Sequence, residues 1–480
     1  MSVFLHVYRE FVMSIRLLKL AFLVIVGWGI SLLPVPHGVD PKGWALFSIF
    51  VPTILGLVLK PLPMGPVALL GMSAATLTNT LDIGKEALNG FSSPVIWLIV
   101  FVFFIARGFI KTGLGNRIAY LFVRMLGRRT LGLGYGMILT ELVIAPVIPS
   151  NAARAGGVMF PILKSIAESM GSSPETGTER KMGSYLTQVC FHGNLVTSAM
   201  FLTAMAANPM AQALAAKQGV SITWANWALA AVVPGLISII LIPLVLYFIY
   251  PPEMKELPHA VEMARGKLKA MGPMARSEWT MLGVFGIMLF LWVFGDNWGI
   301  SACTTALLGL CLLFVMDVLD WKDVLAEHEA WHTLVWMAIL VMMSAYLEKF
   351  GLIDWFSQII GAAVSGWHWL YAFLTLSLVY FYSHYFFASN TAHVSSMYAA
   401  FLVVAIGAGT PPLLAALVLG FFSSLFSSMT HYGTSAAAVL YGTGYVSIGA
   451  WWGVGFVISI VNLIIWLGAG GIWWKVLGIW

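Results

Sequence analysis

The chain is a succession of long apolar stretches parted by short polar ones. A helix that crosses a bilayer takes about 20 mostly apolar residues. That yardstick predicts crossings near 17–33, 44–60, 63–81, 94–110, 185–207, 224–250, 279–296, 299–317, 333–349, 411–445 and 450–470, about eleven transmembrane helices. The 411–445 stretch is too long for one straight span, and Gly433 marks a break within it. Two more apolar segments, 130–166 and 367–408, are polar at their middles and read as re-entrant hairpins that enter and leave on one side. Segments 115–128 and 352–364 are short and amphipathic, suited to lie along the interface as arms. The expected fold is an all-α polytopic membrane protein.

The polar middles of the hairpins are Pro149-Ser150-Asn151-Ala152-Ala153-Arg154 and Ala388-Ser389-Asn390-Thr391-Ala392-His393. They lie 239 positions apart, and the same offset relates Trp97 to Trp336 and His192 to His431. Chance seldom matches tryptophan and histidine, so an internal duplication is expected. Residues 1–43 form an N-terminal segment with the first helix, 44–250 the first copy, 251–278 a polar cytoplasmic linker and 279–480 the second copy. Each copy has five crossings and one hairpin. Five is odd, so the second copy runs upside down, the inverted-topology repeat of many secondary transporters.

Composition agrees with the pattern. The 480 residues are 60% hydrophobic and 9% charged, against about a quarter charged in soluble domains; mean hydropathy is +0.90. With a cytoplasmic N-terminus, 19 of the 25 Lys and Arg fall on the cytoplasmic side, five outside, and Arg154 within the membrane. That asymmetry is the positive-inside bias, which accounts for the net charge of +5 without nucleic acid. Cys190, Cys303 and Cys311 form no CxxC pair and read as apolar helix residues. Arg9, Arg16 and Lys19 precede an apolar run without a small-residue cleavage site, which reads as a retained first span. No Ser- and Arg-rich transit peptide precedes it, so a bacterial inner membrane is expected over a plastid envelope.

Irregular backbone survives inside a bilayer only beside protein, water or ligand. A tip flanked by helix ends offers free N–H groups and the positive end of a dipole to an anion. Ser150, Asn151, Ser389, Asn390 and Thr391 add side-chain donors, and two such tips suit a molecule with two carboxylates. The bland reading is that Ser-Asn merely caps a helix; the matched duplicate weighs against it. A second constellation pairs His192-Gly193-Asn194 and Thr197-Ser198 with His431, Gly433, Thr434 and Ser435. Here glycine suggests helix unwinding near 185–207 and 411–445, with close helix packing as the alternative. Arg154 and His393 each stand four residues after a tip serine. An intramembrane arginine is costly and usually functional; attraction to an anionic substrate is favoured over a structural pair with Glu141, 13 residues back. No metal ligand set, cofactor motif, GxSxG or HExxH pattern stands in the chain, so no enzyme is expected.

These residues resemble the divalent anion:sodium symporter family. The paired tips carry the likeness, which covers nearly the whole chain after about residue 40. Thr197-Ser198-Ala199-Met200-Phe201-Leu202-Thr203-Ala204-Met205-Ala206-Ala207-Asn208-Pro209 and Thr430-His431-Tyr432-Gly433 are similar to its branch of bacterial citrate/succinate exchangers and plastid 2-oxoglutarate/malate translocators. The resemblance implies a homodimer whose hairpins and broken helices form an elevator-like transport domain. It also implies dicarboxylate substrates (2-oxoglutarate, malate, succinate, fumarate), with citrate left open. The first tip has Ala152 where the family usually has a threonine hydroxyl, and Thr197 or Ser198 could substitute. In sodium-coupled members the tips and unwound carbonyls also hold cations. Arg154 and His393 would place positive charge there, and repulsion of about 4 kcal/mol at ~4 Å favours sodium-independent exchange. A sodium- or proton-coupled symporter of the same fold is the alternative.

Overall fold

The computed structural model describes residues 2–363 and 366–480, and no strand occurs among them. Among the described residues, seven helices are long and apolar enough to cross a membrane: Met13–Ser31, Pro94–Thr112, Trp224–Ile249, Arg276–Trp298, His328–Lys349, Asn390–Gly407 and Ile448–Val476. Shorter apolar helices include Pro41–Leu57, Met64–Leu77, Thr130–Ile144, Ala302–Val315 and Pro412–Ser428. Side chains exposed on the long helices are largely apolar, such as Phe248, Trp279 and Val293, the composition lipid requires.

The helix Gly183–Met200 is different. All 18 of its residues are buried, and it packs against Thr130–Ile144, Trp224–Ile249 and Pro412–Leu425. Its small and polar residues are therefore shielded from lipid by other helices. It forms the centre around which both tips are arranged.

The amphipathic helix Leu114–Leu126 is joined to the rest by Arg117. Its Nε and Nη2 donate to the two carboxylate oxygens of Glu278 at 2.6 and 3.0 Å, and Nη1 donates to the Gly272 carbonyl at 2.9 Å. The 251–278 stretch contains the helix Ala260–Met271, whose Ala260, Val261 and Ala264 are buried. That helix packs on Leu114–Leu126, which ties the polar stretch to the amphipathic one.

Candidate functional site

Both tips are built the same way. Ser150 Oγ accepts from the Ala153 N–H at 3.1 Å, and Ser389 Oγ accepts from the Ala392 N–H at 3.5 Å. One residue on, the Arg154 and His393 amides donate to the Ser150 and Ser389 carbonyls at 3.0 and 3.1 Å. Each serine thus caps the helix that leaves its tip, and each cap is followed by a wide π turn, Ala153–Met159 and Val394–Tyr398. Such turns recur at functional sites. First-turn N–H groups that the caps do not take stay directed at the tip.

The amides brace the tips. Asn151 Nδ2 donates to Thr434 Oγ1 at 2.8 Å, reaching the interrupted 411–445 segment. Asn390 Nδ2 donates to the Ser423 carbonyl at 2.9 Å and lies 3.9 Å from the Met205 sulfur. Each tip therefore touches the break belonging to the other half of the chain. Ser150, Ser389 and Thr391 are half-buried and Ser435 is exposed, whereas Asn151, Asn390 and Thr434 are buried. The accessible donors are hydroxyls; the amides lie behind them.

Two expectations are corrected at the first break. The helix runs unbroken through His192, Gly193 and Asn194 and ends at Met200. Gly193 serves packing, since a Cβ there would stand 2.5 Å from Ile138 Cγ1. The interruption comes at Phe201–Ala206, before the helix Ala207–Lys217. It is tolerated because donors meet its carbonyls: Asn208 Nδ2 bonds Ser198 O and Phe201 O at 2.7 and 2.9 Å, and Trp227 Nε1 bonds Ala199 O at 2.9 Å. Thr203 Oγ1 returns a bond to the Pro146 carbonyl at 2.6 Å. Thr197 and Ser198 lie inside, with Thr197 Oγ1 donating to the Asn194 carbonyl and Ser198 Oγ accepting from Arg154. Neither stands at the accessible rim to replace the hydroxyl absent at Ala152.

The second break separates Phe426–Ser428 from Ser435–Tyr441 and contains His431 and Gly433. His384 Nε2 lies 2.9 Å from the Gly433 carbonyl and must carry the proton of that bond. His431 accepts from Trp452 Nε1 at 3.1 Å. His192, in mid-helix, and His431, in a break, do not hold equivalent places although the 239-residue offset pairs them.

Arg154 is fully buried. Its Nε donates to Glu141 at 2.9 Å, Nη1 donates to the Ile148 and Ala204 carbonyls, and Nη2 donates to Ser198 Oγ. Glu141 is held on its other oxygen by Asn194 Nδ2 at 3.1 Å, and Asn194 also bonds the Asn151 carbonyl. Arg154 thus makes the Glu141 ion pair that the sequence offers as its alternative role, together with bonds to two carbonyls and a hydroxyl. The turn at 145–150, between the helix Thr130–Ile144 and the tip, brings Glu141 back beside Arg154. His393 is likewise buried, its Nε2 3.1 Å from Ser383 Oγ and its ring stacked 4.6 Å from that of Tyr380. His384 escaped sequence reasoning, and Asn208 and Thr203 entered it only within the family likeness, with no role of their own. The Asn208-Pro209 dipeptide is a turn signal that could have marked the first break; nothing in the sequence distinguishes His384.

Helices of spanning length, buried polar tips and interrupted helices define a polytopic membrane transporter. The chain belongs to the divalent anion:sodium symporter family: a family model described as the sodium:sulfate symporter transmembrane region matches residues 14–480. The putative malate transporter YflS of Bacillus subtilis is 54% identical, covering 97% of this chain and 98% of that protein. Dicarboxylate transporter 1, chloroplastic, of Spinacia oleracea is 50% identical over 95% of this chain and 81% of its own length. The inner membrane protein YbhI of Escherichia coli is 36% identical over 96% and 97%. The fold is similar to that of the YdaH transporter of Alcanivorax borkumensis, with a TM-score of 0.51 at 12% identity, covering 84% of this chain and 88% of that one. The names of YflS and of the Spinacia oleracea protein describe transporters, not enzymes.

Proposed function

We propose that the chain is a sodium-independent exchanger of dicarboxylates, with 2-oxoglutarate, malate, succinate and fumarate as substrates. Relatives that match nearly its full length are named for malate and dicarboxylates. One observation carries the sodium-independence. The guanidinium of Arg154 fills a cage made of two main-chain carbonyls, the Ser198 hydroxyl and the Glu141 carboxylate. Carbonyl, hydroxyl and carboxylate oxygens are the ligands a hard cation takes. Here the chain supplies the cation itself. Since Glu141 balances the charge, occupancy of the oxygens excludes sodium more directly than repulsion does.

Exchange follows from the tips. An empty site carries first-turn N–H groups and the Ser150, Ser389 and Thr391 hydroxyls into an apolar interface without an anion, and each unpaired group there costs several kcal/mol. A bound dicarboxylate, one carboxylate per tip, satisfies them. Return therefore requires a second dicarboxylate. The similarity of the two caps supports an inverted duplication, and the interrupted helices with their hairpins would move as one elevator-like body within each protomer of a homodimer. The Lys and Arg distribution supports a cytoplasmic N-terminus, and the naming of YbhI supports a bacterial inner membrane.

The second reading, sodium- or proton-coupled symport, is favoured by the sodium in the family's description and by His393 Nδ1, which has no partner among the described residues. A thermal-shift titration separates the exchanger from sodium coupling. Malate and succinate are expected to stabilise the purified protein at the same concentrations in sodium and in choline chloride. Stabilisation confined to sodium would establish the symporter instead.

A further inference from the structure

We propose that a cavity between the segments 128–130 and 254–265 binds a phosphate-bearing anion, from either an anionic phospholipid headgroup or a soluble phosphate. The cavity has a volume of about 470 Å³, and its lining includes Arg128, Arg129, Arg265, Glu256 and Glu262. Its walls are held by main-chain bonds. The Leu257 N–H donates to the Arg128 carbonyl at 2.9 Å and the Thr130 N–H to the Lys255 carbonyl at 3.0 Å, and Arg129 and Glu256 pair as an isolated antiparallel bridge. The buried Ala260, Val261 and Ala264 hold the helix behind Arg265 against Leu114–Leu126.

This shape is kept without help from the arginine side chains. Arg117 and Arg154 make ion pairs with carboxylates, whereas none of the three cavity guanidiniums does among the described residues. Glu262 is turned to His259, at 3.5 Å. Three guanidiniums stand against two carboxylates, Glu256 and Glu262, so the lining keeps a net positive charge, and its guanidinium forks match phosphate oxygens. Lys255, Lys267 and Lys269 lie close by in sequence and are exposed, and so is Met125, at 68%. Basic clusters beside an amphipathic helix at the cytoplasmic face are where anionic headgroups gather. A bound anion would brace the base of the first hairpin, since Thr130 begins its helix and Thr130 Oγ1 donates to the Met254 carbonyl.

The test reads binding rather than transport, so its failure leaves the dicarboxylate reading untouched. The full chain is placed in phosphatidylcholine nanodiscs, and its unfolding temperature is followed as phosphatidylglycerol or inorganic phosphate is added. Wild type is compared with the double variant Arg128→Gln/Arg265→Gln and with Arg124→Gln, which lies outside the cavity. One of the two ligands is expected to raise the unfolding temperature of wild type and Arg124→Gln alike. The double variant should need roughly 30-fold more of it, with two cations lost. A response to phosphatidylglycerol alone assigns the lipid, and a response to phosphate alone the soluble anion. No response to either, or an undiminished one in the double variant, overturns the proposal.

Discussion

At the scale of single residues, Arg154 and Glu141 determine one another. Both side chains are essentially without solvent contact. A buried pair contributes little net stability, but removing one partner strands the other and costs about 3–5 kcal/mol. Glu141→Ala should therefore lower the unfolding temperature sharply, and Glu141→Ala/Arg154→Met should recover part of the loss. If Glu141→Ala unfolds like wild type, the guanidinium has another counter-ion. Gly193 gives a second prediction. With Ile138 Cγ1 2.5 Å from its missing Cβ, Gly193→Ala should destabilise by about 1–3 kcal/mol through overpacking. Ile138→Ala, which removes Cγ1, should relieve it in the double variant, read by thermal unfolding. Relief would confirm that this glycine packs rather than unwinds.

At the scale of elements, the breaks depend on donors contributed by other parts of the chain. Asn208 closes two carbonyls, Ser198 O and Phe201 O. Asn208→Ala leaves both without that partner, at about 1–3 kcal/mol each. The expected result is a less stable protein with slowed transport but an unchanged helical circular-dichroism spectrum. The tips were legible in the sequence because Ser150, Asn151, Ser389 and Asn390 are polar amid apolar arms, and their capping is local. The first break was not. Its position depends on Asn208, Trp227 and Arg154, which approach from three separate segments, whereas Gly193 offered only a permissive backbone. The 239-residue offset holds at the tips, where the caps correspond bond for bond. It fails at His192 and His431, one inside a helix and one in a break. The inner placement of Thr197 and Ser198 was likewise hidden, because helical pattern does not say which buried face another guanidinium will claim.

At the scale of the whole molecule, polar contacts at the ends of the membrane-spanning segments tie distant parts of the chain together. Lys111 Nζ, at the end of Pro94–Thr112, donates to Asp323 Oδ2 at 2.6 Å. Burial works against the charged form of Asp323, but the Lys111 bond, the Asp320 amide and the Arg107 charge outweigh it and hold the carboxyl below its usual range. A depressed folded pKa contributes stability above the unfolded value, about 3.9, and that contribution is lost as pH falls through the folded one. Acid unfolding of Asp323→Asn should therefore be less steep below about pH 4 than that of wild type, a small difference because Lys111 is 44% exposed. The all-helical membrane fold was legible from apolar lengths alone. The packing of Ala260–Met271 against Leu114–Leu126 was not, since a polar stretch carries no mark of the surface it will cover.

The central claim is exchange without sodium, with Arg154 in the place of a bound cation. Counterflow in proteoliposomes tests it most directly. Vesicles are loaded with unlabelled malate or left empty, and labelled succinate is offered with and without a sodium gradient. The account predicts uptake only into loaded vesicles, at the same rate with and without sodium. Sodium-driven accumulation in empty vesicles would contradict it.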